Sequence, residues 1–374
     1  MKGYMDSETT TAKPTPQKEQ SNLLSSLLNE FRRNKLILYY VVFIAILTLY
    51  VTSYAPHKMK YDIYSYLNAL MTICYVTFIA WATYYYFSLL FKREKRPTIQ
   101  FLRKIKSLLF PVSKPIFFVL LMLSLNVSFS SYTFIKSAIP YFNPYALDLD
   151  FYLIDKWLHF GVSPWEITHY IFPNALCSLA INILYNLWFF VMWGMLLFFI
   201  IYRGSTLLRN QFLLTFLISW LLIGNVAATL LSSVGPTFFH HFNDQNLYLE
   251  LMHRLNIQNL ELQELGAFPL WALSTQDMLW DSYISGKTSR GTGISAMPSM
   301  HVTIAVLMAM SIFNLNKKLG YVAWCYAFFI QVGSVHLAWH YAIDGYVGAL
   351  LVITLWHLIG YLLRRNSSSI TQQQ

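Results

Sequence analysis

The chain has 374 residues, 56% of them hydrophobic, 17% aromatic and only 12% charged, with a formal net charge of +10 and a mean hydropathy of +0.43. These values exclude a water-soluble domain with a polar surface and indicate a polytopic membrane protein. Lys and Arg fall in short clusters between apolar runs, the pattern that sets membrane orientation, and this argues against nucleic-acid binding.

In chain order, residues 1–35 read as a cytoplasmic and largely disordered segment, because TTTAKPTPQKEQ is polar, Pro-containing and aperiodic. The first apolar run begins at Leu36 and lacks a small-residue cleavage signature, so no cleavable signal peptide is expected. A spanning helix needs about 20 mostly apolar residues. Eight runs are candidates: 36–54, 65–91, 116–138, 177–202, 211–233, 300–315, 319–337 and 342–363. The sixth is short, since Ser311 and Asn314 interrupt it. The expected fold class is therefore all-α, a polytopic membrane helical bundle of about eight transmembrane helices. Its parts are N-terminal helices over 36–139, a membrane domain over 140–363 with extracytoplasmic loops 140–176 and 234–299, and a tail over 364–374. Cys74, Cys177 and Cys325 lie in apolar runs without CxxC spacing and read as small buried hydrophobes.

With the N-terminus in the cytoplasm, every basic cluster lands on one side: Arg32 to Lys35, Lys92 to Lys106, Arg203 and Arg209, Lys317 and Lys318, Arg364 and Arg365. The other side receives two rich loops. In the first, Leu149, Leu153, Trp157 and Leu158 recur at helical spacing, with His159 and Trp165 suited to headgroups. That reads as a helix along the membrane surface or, more plainly, a covering loop. The second, Gly235 to Pro298, is too long for a structureless connection and reads as a functional cap.

Two stretches on that outer side carry chemistry. In GTGISAMPSMH, Pro298 suits a helix start, whose unpaired N–H groups and dipole favour phosphate. Ser299 adds a hydroxyl, His301 a proton carrier, and Gly291 and Gly293 allow close backbone approach. Taken alone, PSMH is equally a Ser-capped turn with an interfacial histidine. In HLAWHYAID, His340 and Asp344 stand four apart on one helical face, where the carboxylate orients the ring and leaves the second nitrogen free to attack. Ionisable groups beside spanning segments point to function. Together the stretches make a phosphoryl-transfer site. His340 is the nucleophile, Asp344 its partner, His301 the general acid, and Ser299 and Met300 at the helix start hold the phosphate.

These residues resemble the type 2 phosphatidic acid phosphatase superfamily, whose second motif is Pro-Ser-Gly-His and whose third is Ser-Arg, five residues, His, three residues, Asp. Pro298, Ser299 and His301 match the second with Met300 in place of glycine, and His340 and Asp344 match the third. The resemblance implies those three catalytic roles, a helical bundle with a six-helix core, a site at the outer face, and no cofactor or metal. Gly333 and Ser334 stand where the family keeps Ser-Arg, and its first motif is absent, so Lys287 and Arg290 become the candidate phosphate-binding cations. ISAMPSMH with HYAID, LDLDFYLIDKWLHFG and SSVGPTFF are more similar to the branch that includes inositol phosphorylceramide synthases.

The expected function is a lipid-phosphate phosphatase or phosphotransferase working through a phosphohistidine, or transfer of a phospho-headgroup to a lipid acceptor. Its partners are a lipid phosphate or phospholipid and the bilayer, without nucleic acid. Two other classes compete. His336, His340 and Asp344 form an i, i+4, i+8 row that a metal enzyme could use, and a transporter would move a phosphorylated lipid without turnover. His240 and His241 read as surface contacts, and Trp339 and Tyr341 as part of an aromatic belt.

Overall fold

The computed structural model describes residues 16–56, 59–286 and 290–371. Among these there is no strand, and the chain falls into two compact units, Met1–Lys35 with Ile79–Leu121, and Leu36–Phe78 with Met122–Gln374. The helices are α1 (Pro16–Thr52), α2 (Leu67–Phe91), α3 (Pro97–Leu109), α4 (Ser113–Phe142), α5 (Asp148–Leu158), α6 (Pro164–Ile171) and α7 (Ala175–Ile201). Then come α8 (Thr206–Leu221), which runs through a π-helical turn at Leu222–Ala227 into the short α9 (Ala228–Leu230), and α10 (Leu249–Glu264), α11 (Trp271–Ser285), α12 (Met300–Leu315), α13 (Lys317–His336) and α14 (Ala342–Thr371).

In the smaller unit the hydroxyl of Ser26 donates to that of Ser113 at 2.6 Å, and Trp81 stacks on Tyr85 at 5.6 Å. Residues 16–35, expected to be disordered, instead begin α1. Leu24, Leu27, Leu28 and Phe31 repeat at the spacing of one helical face and carry the helix forward from the membrane run. Residues 1–15 lie outside the described residues.

Among the described residues, six helices are by themselves long and apolar enough to cross a membrane: Leu23–Thr52, Leu67–Phe91, Ser113–Phe142, Ala175–Ile201, Thr206–Leu230 and Ala342–Asn366. The other two expected spans exist as helices but differ in character. At 16 residues α12 is short. It packs against α7, α8, α13 and α14, and everything from Val302 to Ser311 is buried, so it lies at the centre of the larger unit. The 20-residue α13 has the length, yet Lys317, Lys318, Gln331, Ser334 and His336 lower its apolarity. Side-chain caps from Asn174, Ser205 and Asn316 accept the N–H of Cys177, Leu208 and Leu319 and fix the starts of α7, α8 and α13, each worth about 1 kcal/mol.

Both of the loops expected on the outer side fold into helices. On α5 the buried face carries Asp148, Phe151 and Asp155, while Leu153, Trp157 and Leu158 point outward. The long second loop forms a 3₁₀ turn at Pro236–His241 followed by α10 and α11. Cys325 is exposed on α13 rather than buried.

Candidate active site

The third-motif residues do not share a helix. The chain leaves α13 at His336 because Ala338 takes a left-handed φ of 61°, and α14 starts only at Ala342. His340 therefore sits in a tight connection, in which the N–H groups of Trp339 and His340 both donate to Ser334 O, at 2.9 and 3.0 Å. The cap loop grips this turn. Thr237 donates to Ala338 O through its N–H at 3.1 Å and its hydroxyl at 2.5 Å, and Gln276 Nε2 donates to Leu337 O at 2.9 Å.

The expected pair nevertheless forms. His340 Nδ1 lies 3.2 Å from Asp344 Oδ2, which also accepts the N–H of Tyr341 at 3.1 Å. An acceptor already fixed by a backbone donor favours the Nδ1–H tautomer and leaves Nε2 with the lone pair. Burial, then His301 and Lys136, push the His340 imidazole down to about 3, so it is neutral at physiological pH.

Ser299 stands at the N-cap position of α12, with Pro298 before it rather than inside the helix. Its N–H donates to Asp344 O at 3.0 Å, tying the start of α12 to the start of α14. Its hydroxyl, expected to hold phosphate, is buried without a partner among the described residues and is not on the cavity wall. Met300 and His301 are on that wall. The His301 ring packs 4.7 Å from Tyr185 and 4.4 Å from Trp188, and 6.3 Å from the ring of His340. Gly333 makes this possible: a Cβ there would come within 2.9 Å of Tyr185 Cδ2.

Both histidines open on a cavity of ≈ 420 Å³ whose wall is largely aromatic, including Trp188, Trp193 and Trp220. Ser334, at the family's arginine position, is buried and donates to Gln331 O, so no cation comes from there. Arg290 lines the cavity, whereas Lys287 lies outside the described residues. A second cation, Lys136 of α4, also lines it and interacts electrostatically with both histidine rings. Sequence reasoning missed Lys136. The available signal was a lone charge, FIKSAIPYF, near the end of an apolar span.

Two buried carboxylates on α5 position the site. Asp155 accepts the N–H groups of Ala342 and Ile343, at 2.6 and 2.8 Å, and so occupies the electropositive start of α14. Burial raises its carboxyl above the usual range, against the lowering by these two donors. Asp148, one helical face along, accepts from Val234 N at 3.1 Å, Gly235 N at 2.9 Å and the Tyr341 hydroxyl at 2.9 Å. Gly235 has a φ of 84°, and a Cβ on it would meet Ala296 Cβ at 2.8 Å, so this turn can sit against Ala296 only as glycine.

The remaining singled-out residues separate. His336 turns away from His340, stacks on His169 at 3.8 Å and lies 2.8 Å from Ser178 Oγ, which breaks the proposed metal-binding row. Tyr341 is buried and Trp339 lines the cavity, so neither belongs to an outer belt. His240 and His241 are exposed, and His241 stacks on Trp280 at 3.6 Å.

No curated protein and no solved structure matches the chain. The model of the PAP2 superfamily matches residues 149–358, more than half of the sequence and the part that holds both histidines and Asp344. With that match over a helical bundle whose motif residues converge on one cavity, the chain belongs to the PAP2 superfamily.

Proposed function

We propose that the protein transfers or hydrolyses the phosphate of a lipid at the non-cytoplasmic end of its helical bundle, with His340 as nucleophile. The observation that carries this reading is His340, oriented by Asp344 at 3.2 Å and facing His301 across a cavity that Lys136 also lines. His340 Nε2 forms a bond to phosphorus as the phosphorus–oxygen bond to the lipid breaks. The leaving oxygen takes the electron pair and a proton from His301, which takes up that proton when the anionic phosphate binds beside it. Water or an alcohol then attacks phosphorus, the nitrogen–phosphorus bond breaks, and His301 takes back the proton. Lys136, Arg290 and the N–H groups at the start of α12 offset the phosphate charge. Ser299 acts by joining α12 to α14.

The aromatic wall favours a second form of the same chemistry, in which the acceptor is a lipid alcohol as in inositol phosphorylceramide synthases. A cavity of ≈ 420 Å³ with apolar walls suits an acyl chain and its polar end together. The test is phosphate release from phosphatidic acid in detergent. His340→Ala is expected to abolish it and to prevent trapping of acid-labile phosphate on the protein. Full activity in His340→Ala or His301→Ala refutes the mechanism, loss of activity with chelator favours a metal enzyme, and lipid movement without turnover favours a transporter.

A further inference from the structure

The 13-residue α3 joins two helices long and apolar enough to span, α2 and α4, yet it buries none of its own residues. Phe101, Leu102, Ile105, Leu108 and Leu109 recur at i, i+1, i+4, i+7 and i+8 and make one apolar face. Gln100, Arg103, Lys104 and Ser107 lie opposite, with Lys106 at the edge. Leu102 stays 60% exposed and Leu109 49%. A continuous apolar strip of this kind calls for a cover.

Two observations fix where α3 lies. Only residues 92–96 and 110–112 connect it to α2 and α4. At about 3.5 Å per residue, its last residue stays within roughly 14 Å of the start of α4. Phe101 also meets three rings of α2, Trp81 at 6.5 Å, Tyr85 at 6.3 Å and Tyr86 at 5.7 Å. These rings stand about one to three turns before the end of α2 at Phe91. With 25 residues, α2 exceeds the roughly 20 that cross the hydrocarbon, so its last turns reach the headgroup layer, where Trp and Tyr concentrate. The contact with Phe101 holds α3 at that boundary.

Charge identifies what α3 meets there. Four exposed cations between Lys92 and Arg96 precede it, and three more, Arg103, Lys104 and Lys106, lie on it. The one acid in this stretch, Glu94, accepts from Gln100 Nε2 at 3.0 Å. No ion pair among the described residues involves any of the seven cations. The other basic clusters of the chain hold two or three. Seven cations beside an apolar face complement an anionic lipid surface, where acyl chains take the face and phosphates take the charges. We propose that α3, with the basic segment before it, is a docking site for the headgroups of anionic phospholipids in the leaflet where α2 ends. The proposal does not depend on the reading of the histidine cavity.

The test offers the full chain in detergent an equimolar mixture of phosphatidylglycerol and phosphatidylcholine and counts retained lipids by native mass spectrometry. The parent is expected to retain phosphatidylglycerol about tenfold over phosphatidylcholine. In the combined variant Arg103→Gln, Lys104→Gln, Lys106→Gln that ratio is expected to fall to within about twofold of unity. The charge-preserving set Arg103→Lys, Lys104→Arg, Lys106→Arg is expected to keep it. Because α3 buries nothing, neither set disturbs a core, and the unfolding midpoint is expected to hold in both. Lys317→Gln with Lys318→Gln removes exposed cations from another helix and is expected to leave the ratio unchanged. Equal retention of the two lipids by the parent overturns the proposal and leaves the patch to an acidic protein. A ratio that survives the glutamine set, or falls as far in the Lys317 and Lys318 variant, also overturns it.

Discussion

The hydroxyl of Tyr341, the residue after His340, donates to Asp148 Oδ1 at 2.9 Å and so joins the turn that carries His340 to α5. Asp148 also receives two backbone N–H groups, so the partners of the two side chains differ in number. Tyr341→Phe removes one hydrogen bond and is expected to cost about 1 kcal/mol. Asp148→Ala strands the N–H groups of Val234 and Gly235 in a buried place and is expected to cost about 3 kcal/mol. Thermal unfolding in detergent should rank the two variants in that order.

Asp344→Asn keeps the shape of the side chain but offers His340 Nδ1 an amide in place of a carboxylate. The Nδ1–H tautomer loses its charge partner, and kcat is expected to fall by about 10³-fold with KM little changed. Unchanged kcat would mean that His340 needs no orienting carboxylate.

Lys136→Met removes a cation from the wall of the cavity that holds both histidines while keeping most of the side-chain volume. Loss of one charge-stabilising donor is expected to lower kcat/KM about 10²-fold, with Lys136→Arg recovering part of it. Steady-state kinetics on phosphatidic acid decide, and equal rates in all three proteins would remove Lys136 from the site.

Gly333→Ala ought to help α13 by roughly 0.5–1 kcal/mol, since alanine is the better helix former. Its Cβ would instead approach Tyr185 Cδ2 to 2.9 Å, and Tyr185 carries the ring of His301. The expected result is a protein no more stable than the parent and about tenfold less active. A more stable and fully active variant would show that this contact yields freely.

His169 stacks on His336, and burial pushes its imidazole down to about 4. The folded chain holds it neutral while the unfolded chain takes up a proton near the ordinary value of about 6.5. Stability is therefore complete above pH 6.5 and falls by about 3 kcal/mol as the pH drops to about 4. His169→Gln should flatten that part of a plot of unfolding midpoint against pH.

Much of the candidate site was legible because its motifs are local in sequence. PSMH and HYAID each carry their spacing within a few residues, and His301, His340 and Asp344 converge as their motifs imply. Lys136, Asp148 and Asp155 were not legible as site residues. Each acts across a long stretch of chain, and an isolated Lys or Asp has no motif to announce its partner. Ser299 misled for a related reason: a serine before a helix commonly offers its hydroxyl, whereas here its backbone N–H makes the contact, to Asp344 O. Two of the eight expected spans, α12 and α13, are helices that length and apolarity alone do not single out. A helix enclosed by others, as α12 is, can be shorter than a bilayer is thick.

The aromatic wall also gives the protein its own optical readout. Of eleven tryptophans in the chain, Trp188, Trp193, Trp220 and Trp339 border the cavity that holds both histidines. A lipid entering that space changes the polarity around a third of the indoles at once. Intrinsic emission should therefore follow occupancy directly, without a dye or a label, and can time substrate entry separately from phosphate release.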